Sequence, residues 1–253
     1  MNSADYLSGT ERRIPFAPER AVSLLPWVSE SLAELMLADR LVGVTDDAVY
    51  PTAAFDDLMR VGPSAMPDVG RILDLRPDLV LLGREHGALA KMLDDYGVAV
   101  WLTGPQTVRE SFNLLWDFMN SFEGPQMVER VRAMEWTCDW LERLAETRMV
   151  AVHTAVLWAG DAPAWAEDGN YTADLVRLCG GELVVEPNVG VMPEVLLVAT
   201  FGGADVDLPD RVQAGELRVH LLEGTLLTWP GTRVARAFDV LPALLEPAEQ
   251  GGL

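Results

Sequence analysis

Between Pro125 and Arg148 the apolar residues Met127, Val128, Val131, Met134, Cys138, Leu141, Leu144 and Ala145 recur at steps of three and four, one stripe of an α-helix. Gly124 breaks the preceding segment, and Pro125 suits a first helical position, where its missing N–H would have no intrahelical partner. The pattern predicts one long helix, roughly 35 Å at 1.5 Å per residue. On either side of it, short β-branched runs alternate with helical periods.

Ahead of the helix, strands are predicted at Ala21–Leu25, Leu41–Thr45, Leu79–Leu82 and Val98–Leu102. The last two are continuous apolar runs of the kind buried on both faces of a parallel sheet. Between them fall helices from Ser29 or Ser31 to Ala38, at Val69–Leu75, at Ala88–Tyr96 with Gly97 as its C-cap, and at Val108–Phe122. Ser31 and Glu34 have the spacing of a capping box. Beyond the helix come strands at Met149–Leu157, Glu182–Val185, Val195–Ala199 and Arg218–Leu222, a loop from Trp158 to Gly169, and helices at Tyr171–Leu178 and Arg233–Leu245. Alternation of this kind predicts an α/β protein with parallel crossovers. The expected domains are an N-terminal α/β lobe at 14–123, an interlobe helix at 124–148 and a C-terminal α/β lobe at 149–247.

Composition narrows the function. At 253 residues with 49% apolar and 23% charged content, the chain can bury a sizeable core. Its net charge of −20 argues against nucleic acid or an anionic membrane surface as a partner. No segment approaches the ~18 consecutive apolar residues of a membrane span. The first residues, MNSADYLSGTERR, lack a basic stretch followed by an apolar run, and no cysteine near them could carry a lipid. A cytoplasmic location is expected on these grounds, with a periplasmic or extracellular one as the alternative if a signal has been removed. Cys138 and Cys179 fall on apolar helical positions and are expected to be buried, reduced thiols.

No nucleophile elbow, Walker A loop or H-E-x-x-H motif is present, so no enzymatic activity is expected. The three histidines, His86, His153 and His220, are far apart and have no metal-ligand spacing. His86 differs from the others: Gly83-Arg84-Glu85-His86-Gly87 follows directly on a buried strand, where open α/β sheets place ligands. Of eight tryptophans, Trp27, Trp158, Trp165 and Trp229 fall in expected loops after strands and suit a partly aromatic ligand surface.

The stretch ERAVSLLPWVSESLAELMLADRLVGVTDDAVYP resembles the N-terminal signature of the cobalamin-, haem- and siderophore-binding substrate-binding proteins of ABC importers, the class III or helical-backbone group. Its motifs here are Ser23 to Pro26, Glu30 to Ala38, Asp39 to Val44 and Tyr50-Pro51. RILDLRPDLVLL at Arg71–Leu82 and LCGGELV at Leu178–Val184 resemble further signatures of the family. The resemblance implies two Rossmann-like lobes, a stiff interlobe helix and a ligand clamped non-covalently in the cleft. Cleft residues implied by position are Pro26, Trp27, Tyr50, Ser64, Arg84, Glu85, His86, Trp158, Trp165, Trp229 and Arg233, with Arg84 or Arg233 at an anionic edge of a macrocycle. Neither a covalent cofactor nor a resident metal is implied.

A corrinoid is the preferred ligand, with haem or a ferric siderophore as alternatives. His153 and His220 make poor haem ligands, and a siderophore carrier wants more basic cleft residues than Arg84, Arg233 and Arg60. The family presents one acidic docking residue per lobe to its permease. Here Gly70 stands at the first position, and Pro193-Glu194 displaces the second by one residue. The expected function is a binding protein uncoupled from transport, with an importer component as the alternative. A nitrogenase-like α/β enzyme would need cluster cysteines that two isolated ones do not supply.

Overall fold

The computed structural model describes residues 16–123, 127–147, 151–159, 164–185, 192–201 and 217–247. The chain divides into two compact units, Met1–Pro105 with Phe112–Val131, and Gln106–Ser111 with Arg132–Leu253.

Unit 1 opens with β1 (Ala21–Ser23), buried throughout, and α1 (Pro26–Glu34). Here the capping prediction needs correction. The helix starts at Pro26, and its N-cap Leu25 makes no side-chain cap. Ser29 and Ser31 lie inside it, buried, their hydroxyls donating to the carbonyls of Leu25 (3.2 Å) and Trp27 (2.7 Å). That bond from i to i−4 lets a polar residue sit on a buried helical face. The helix ends at Glu34, short of the expected Ala38, and Met36 just beyond its C-cap adopts φ 61°.

Then follow β2 (Leu41–Val44), α2 (Thr52–Phe55), β3 (Met59–Arg60), α3 (Val69–Asp74), β4 (Leu79–Gly83), a 3-10 turn at Arg84–His86, α4 (Gly87–Asp95), β5 (Ala99–Thr103) and α5 (Val108–Phe122). The short elements α2 and β3 were not expected. Asp68 caps α3 by accepting the Arg71 N–H at 3.1 Å, and Gly97 (φ +77°) closes α4 in the left-handed region. The strands form one parallel sheet in the order β3-β2-β1-β4-β5. β4 is buried along its length as predicted, whereas β5, at the sheet edge, is only half-buried over Ala99–Leu102. The core on one side gathers Val22, Leu24, Val61, Ile72, Val80, Leu82, Ala90 and Leu93.

The long helix, α6, runs from Val128 to Thr147. Gly124, Pro125 and Arg148, the predicted ends, lie outside the described residues. Val131, Met134, Cys138 and Leu141 of the predicted stripe are buried, while Trp136 and Trp140 on the opposite face are exposed.

Unit 2 contains β6 (Val152–Ala159), β7 (Ala164–Trp165), α7 (Tyr171–Leu178), β8 (Gly181–Leu183), β9 (Val195–Thr200), β10 (Arg218–Glu223), α8 (Thr225–Thr228) and α9 (Val234–Leu244). Its strands are ordered β10-β9-β6-β7, with β8 also on β6. The expected loop from Trp158 to Gly169 is corrected at both tryptophans. Trp158 belongs to β6, and Trp165 belongs to β7, paired antiparallel with β6. Asn170 caps α7 by accepting the Ala173 N–H at 3.1 Å. Gly181 is required where β8 enters the sheet: a Cβ there would stand 2.7 Å from Val176 and 2.8 Å from the Thr154 hydroxyl.

Candidate ligand-binding site

In an open parallel sheet, the chain leaving two neighbouring strands in opposite directions opens a crevice at their carboxyl ends. The order of unit 1 puts that point between β1 and β4. Pro26 and Trp27 follow β1 there, Pro26 buried and Trp27 half-buried. Arg84, Glu85 and His86 follow β4 in the 3-10 turn. The sequence-predicted residues of these two segments are therefore neighbours in the topology.

Two glycines, Gly83 and Gly104, lie against the side chains of the turn after β4. The Glu85 side chain folds back over Gly83, so that a Cβ at Gly83 would lie 2.0 Å from its carboxylate oxygen. Glu85 also stands 3.6 Å from His86 Nε2. The aliphatic part of Arg84 lies beside Gly104, past the end of β5, where a Cβ would meet it at 3.9 Å. Arg84 and Glu85 are exposed and His86 half-buried.

Tyr50 and Ser64 sit in the loops after β2 and β3. Tyr50 is exposed and joined to Pro51 by a cis peptide bond. Ser64 is engaged by Asp47: its N–H donates to one carboxylate oxygen at 3.1 Å and its hydroxyl donates to the other. Arg60 anchors the same region, donating to the carbonyls of Thr45 (2.9 Å) and Ala48 (2.8 Å). Asp47 was not singled out from sequence, because nothing local marks an aspartate that pairs 17 residues away.

In unit 2 the aromatic residues separate. The register pairs Leu157 with Trp165 and Trp158 with Ala164, so Trp158 and Trp165 lie on opposite faces of the sheet. Trp165 packs on the cluster of Ala155, Leu157, Leu196 and Val198. Trp229 follows α8, with the Arg233 guanidinium 4.8 Å from its ring centroid. Arg233 is 5% exposed, and its Nη1 donates to Thr225 (2.9 Å) and Glu223 (3.3 Å). Phe201, at the end of β9, was missed by sequence reasoning. Its exposed ring covers the backbone of Gly224 beyond β10, where a Cβ would clash at 2.3 Å.

Among the described residues no group of three metal-ligating side chains is assembled, and no helix is long and apolar enough to cross a membrane.

A largely parallel sheet with helices in each unit and one long helix are the parts of a class III, helical-backbone substrate-binding protein, and the chain has that fold. Among solved structures it is similar to the periplasmic vitamin B12-binding protein BtuF of Vibrio cholerae, with TM-score 0.73 and 19% identity over 91% of this chain and 97% of that one. The periplasmic haem-binding protein HutB of Vibrio cholerae gives TM-score 0.73 and 17% identity over 90% and 99%. Sequence comparison finds vitamin B12-binding proteins of Vibrio cholerae, 25% identical over 189 residues, and of Vibrio vulnificus, 25% identical over 182 residues. These matches take in 72% and 70% of this chain, and 66% and 65% of the length of those relatives. No protein-family model matches the chain. The resemblance read from the motifs thus stands, and the relatives are binding proteins, not enzymes.

Proposed function

We propose that the chain binds a corrinoid or haem-type tetrapyrrole at the carboxyl ends of its parallel strands and serves as the substrate-binding component of an ABC importer. The observation that carries this reading is the sequence similarity to vitamin B12-binding proteins over 72% of the chain. Its chemistry suits the residues at the strand ends. Pro26, Trp27 and Tyr50 offer apolar and aromatic contacts in unit 1, and Trp158, Phe201 and Trp229 do so in unit 2, whereas Trp165 is turned onto the sheet's own cluster. Arg84, exposed and flanked by Glu85 and His86, serves a carboxylate or other anionic edge, with His86 available to the ligand's metal. Arg233 acts through Trp229 by holding its ring, and Ser64 fixes the loops below Tyr50 through Asp47.

Relatives named as periplasmic favour an importer component over a cytoplasmic carrier uncoupled from transport. Two observations keep the uncoupled reading as a second: Gly70 offers no carboxylate to a permease, and Glu194 accepts the His153 N–H at 3.4 Å. Stimulation of the ATPase of a reconstituted vitamin B12 importer would remove that second reading. The primary test is a visible-absorbance titration with cyanocobalamin, cobinamide, haemin and a ferric siderophore. Saturable one-to-one binding of a corrinoid or haemin is expected. Binding of the siderophore alone, or of none of the four, would overturn the proposal.

A further inference from the structure

β10 is an edge strand whose described partner is β9. Leu217 and Val219 pack against the Ala155–Leu157–Leu196–Val198 cluster, so strand alternation turns Arg218 and His220 to the opposite face. On that face the register sets Arg218 beside Val195 and His220 beside Leu197, and those in turn beside Thr154 and Val156. All four neighbours are buried and uncharged, and the Thr154 hydroxyl is already donating to the Val152 carbonyl at 2.9 Å.

Two nitrogens are thus placed with nothing among the described residues to receive them. The Arg218 and His220 side chains are half-buried, and their Nη2 and Nε2 atoms are buried with no hydrogen-bond partner among the described residues. Leaving one buried donor unsatisfied costs about 1–3 kcal/mol, and more when it is charged. Two such groups side by side on one strand face are a costly arrangement unless an acceptor completes them. Positions i and i+2 on a strand are roughly 7 Å apart. Long side chains from such positions converge readily on one group with several acceptor oxygens. A guanidinium fork beside an imidazole favours an oxyanion over a neutral acceptor.

We propose that Arg218 and His220 form a binding site for a small oxyanion of the phosphate or carboxylate class on the β10 edge of unit 2. Along the strand, the pair stands roughly 10 to 17 Å from Glu223, so the site is independent of the aromatic residues beyond the end of β10. Burial first, and the Arg218 charge second, lower the pKa of His220, and a bound anion would act in the opposite direction.

The test follows the histidine ring signals by NMR at constant ionic strength and pH 7, while inorganic phosphate or acetate is added in separate titrations. The expected result is a saturable shift of the His220 signals with His86 and His153 unmoved. Arg218→Gln should weaken binding on the order of tenfold, and Arg218→Lys should weaken it less, because it keeps the charge and loses the fork. Thermal unfolding reports whether each variant is folded; should Arg218→Gln not fold, Arg218→Lys carries the comparison. A response to phosphate alone assigns the phosphate class, and one to acetate alone or to both assigns the carboxylate or the wider class. No saturable His220 shift with either anion, or a shift unchanged in the folded Arg218 variants, overturns the proposal.

Discussion

The two units begin their central buried strands in the same way, with a proline and an acid. In unit 1, Pro77-Asp78 precedes β4. The Asp78 carboxylate accepts the N–H groups of Glu19 (2.8 Å) and Arg20 (3.1 Å), while the Asp78 N–H donates to the Arg20 carbonyl (3.0 Å). In unit 2, Pro193-Glu194 precedes β9. The Glu194 N–H donates to the His153 carbonyl (2.8 Å), and its carboxylate accepts the His153 N–H at a looser 3.4 Å. Each acid fastens its strand to the neighbouring one, β4 beside β1 and β9 beside β6. Glu194, which in sequence stands next to an expected docking position, also has the His153 ring between it and Glu182, at 3.8 and 3.5 Å.

The units differ in which ionisable groups they bury. Unit 1 buries the Glu30 side chain, and burial raises the pKa of Asp117. Unit 2 holds the Cys138 thiol, pushed up to about 11 by burial, the Tyr171 hydroxyl, raised by burial, and His220, lowered by it. Its stability should therefore be the more sensitive to alkali.

The largest effects should fall on both units alike. Leu81 of β4 and Leu197 of β9 are each fully buried, so Leu81→Ala and Leu197→Ala should each cost about 2–5 kcal/mol in urea denaturation. A cost below about 1 kcal/mol at either would mean that strand is not the centre of its unit. Next comes alkali. A thiol whose folded pKa lies above its unfolded value keeps the folded state fully supported below about pH 8.5 and withdraws that support as pH rises through the folded value. Between pH 9 and about 11 the chain should lose on the order of 2 kcal/mol, and Cys138→Ala should flatten that slope. An unchanged slope would place the loss at Tyr171 or elsewhere.

Smaller effects sharpen the strand-fastening comparison. Asp78→Ala should cost about 1–2 kcal/mol and Glu194→Ala about half of that, following the tighter and looser bonds. Equal costs would remove the distinction drawn between them. Smallest is Ser64→Ala, expected to cost under about 1 kcal/mol because the pair is exposed. Its effect should show instead in faster hydrogen exchange of the loop around Asp47.

Much of this architecture can be read from the chain itself. Helices α5 and α7 coincide with their predicted ranges, since each couples an unbroken 3.6-residue period to clear turn residues. The strand-end position of Arg84–His86 follows from the same alternation, while Trp27, expected in a loop after β1, is the second residue of α1. What could not be read depends on partners distant in sequence. Ser29 and Ser31 look like caps, yet their hydroxyls turn inward to the preceding helical turn. Trp165 looks like a loop residue until β6 is beside it to pair with. Asp47 with Ser64, and Phe201 over Gly224, are contacts made only once the sheet has brought the loops together.

Hydrogen–deuterium exchange with and without the tightest-binding tetrapyrrole tests the central claim most directly. Ligand binding at the strand carboxyl ends predicts added protection at Leu24–Trp27 and Gly83–His86 in unit 1 and at Trp229–Arg233 in unit 2, with the amino ends of the strands unchanged. Protection confined to those amino ends, or no change at any of these segments under saturating ligand, would contradict it.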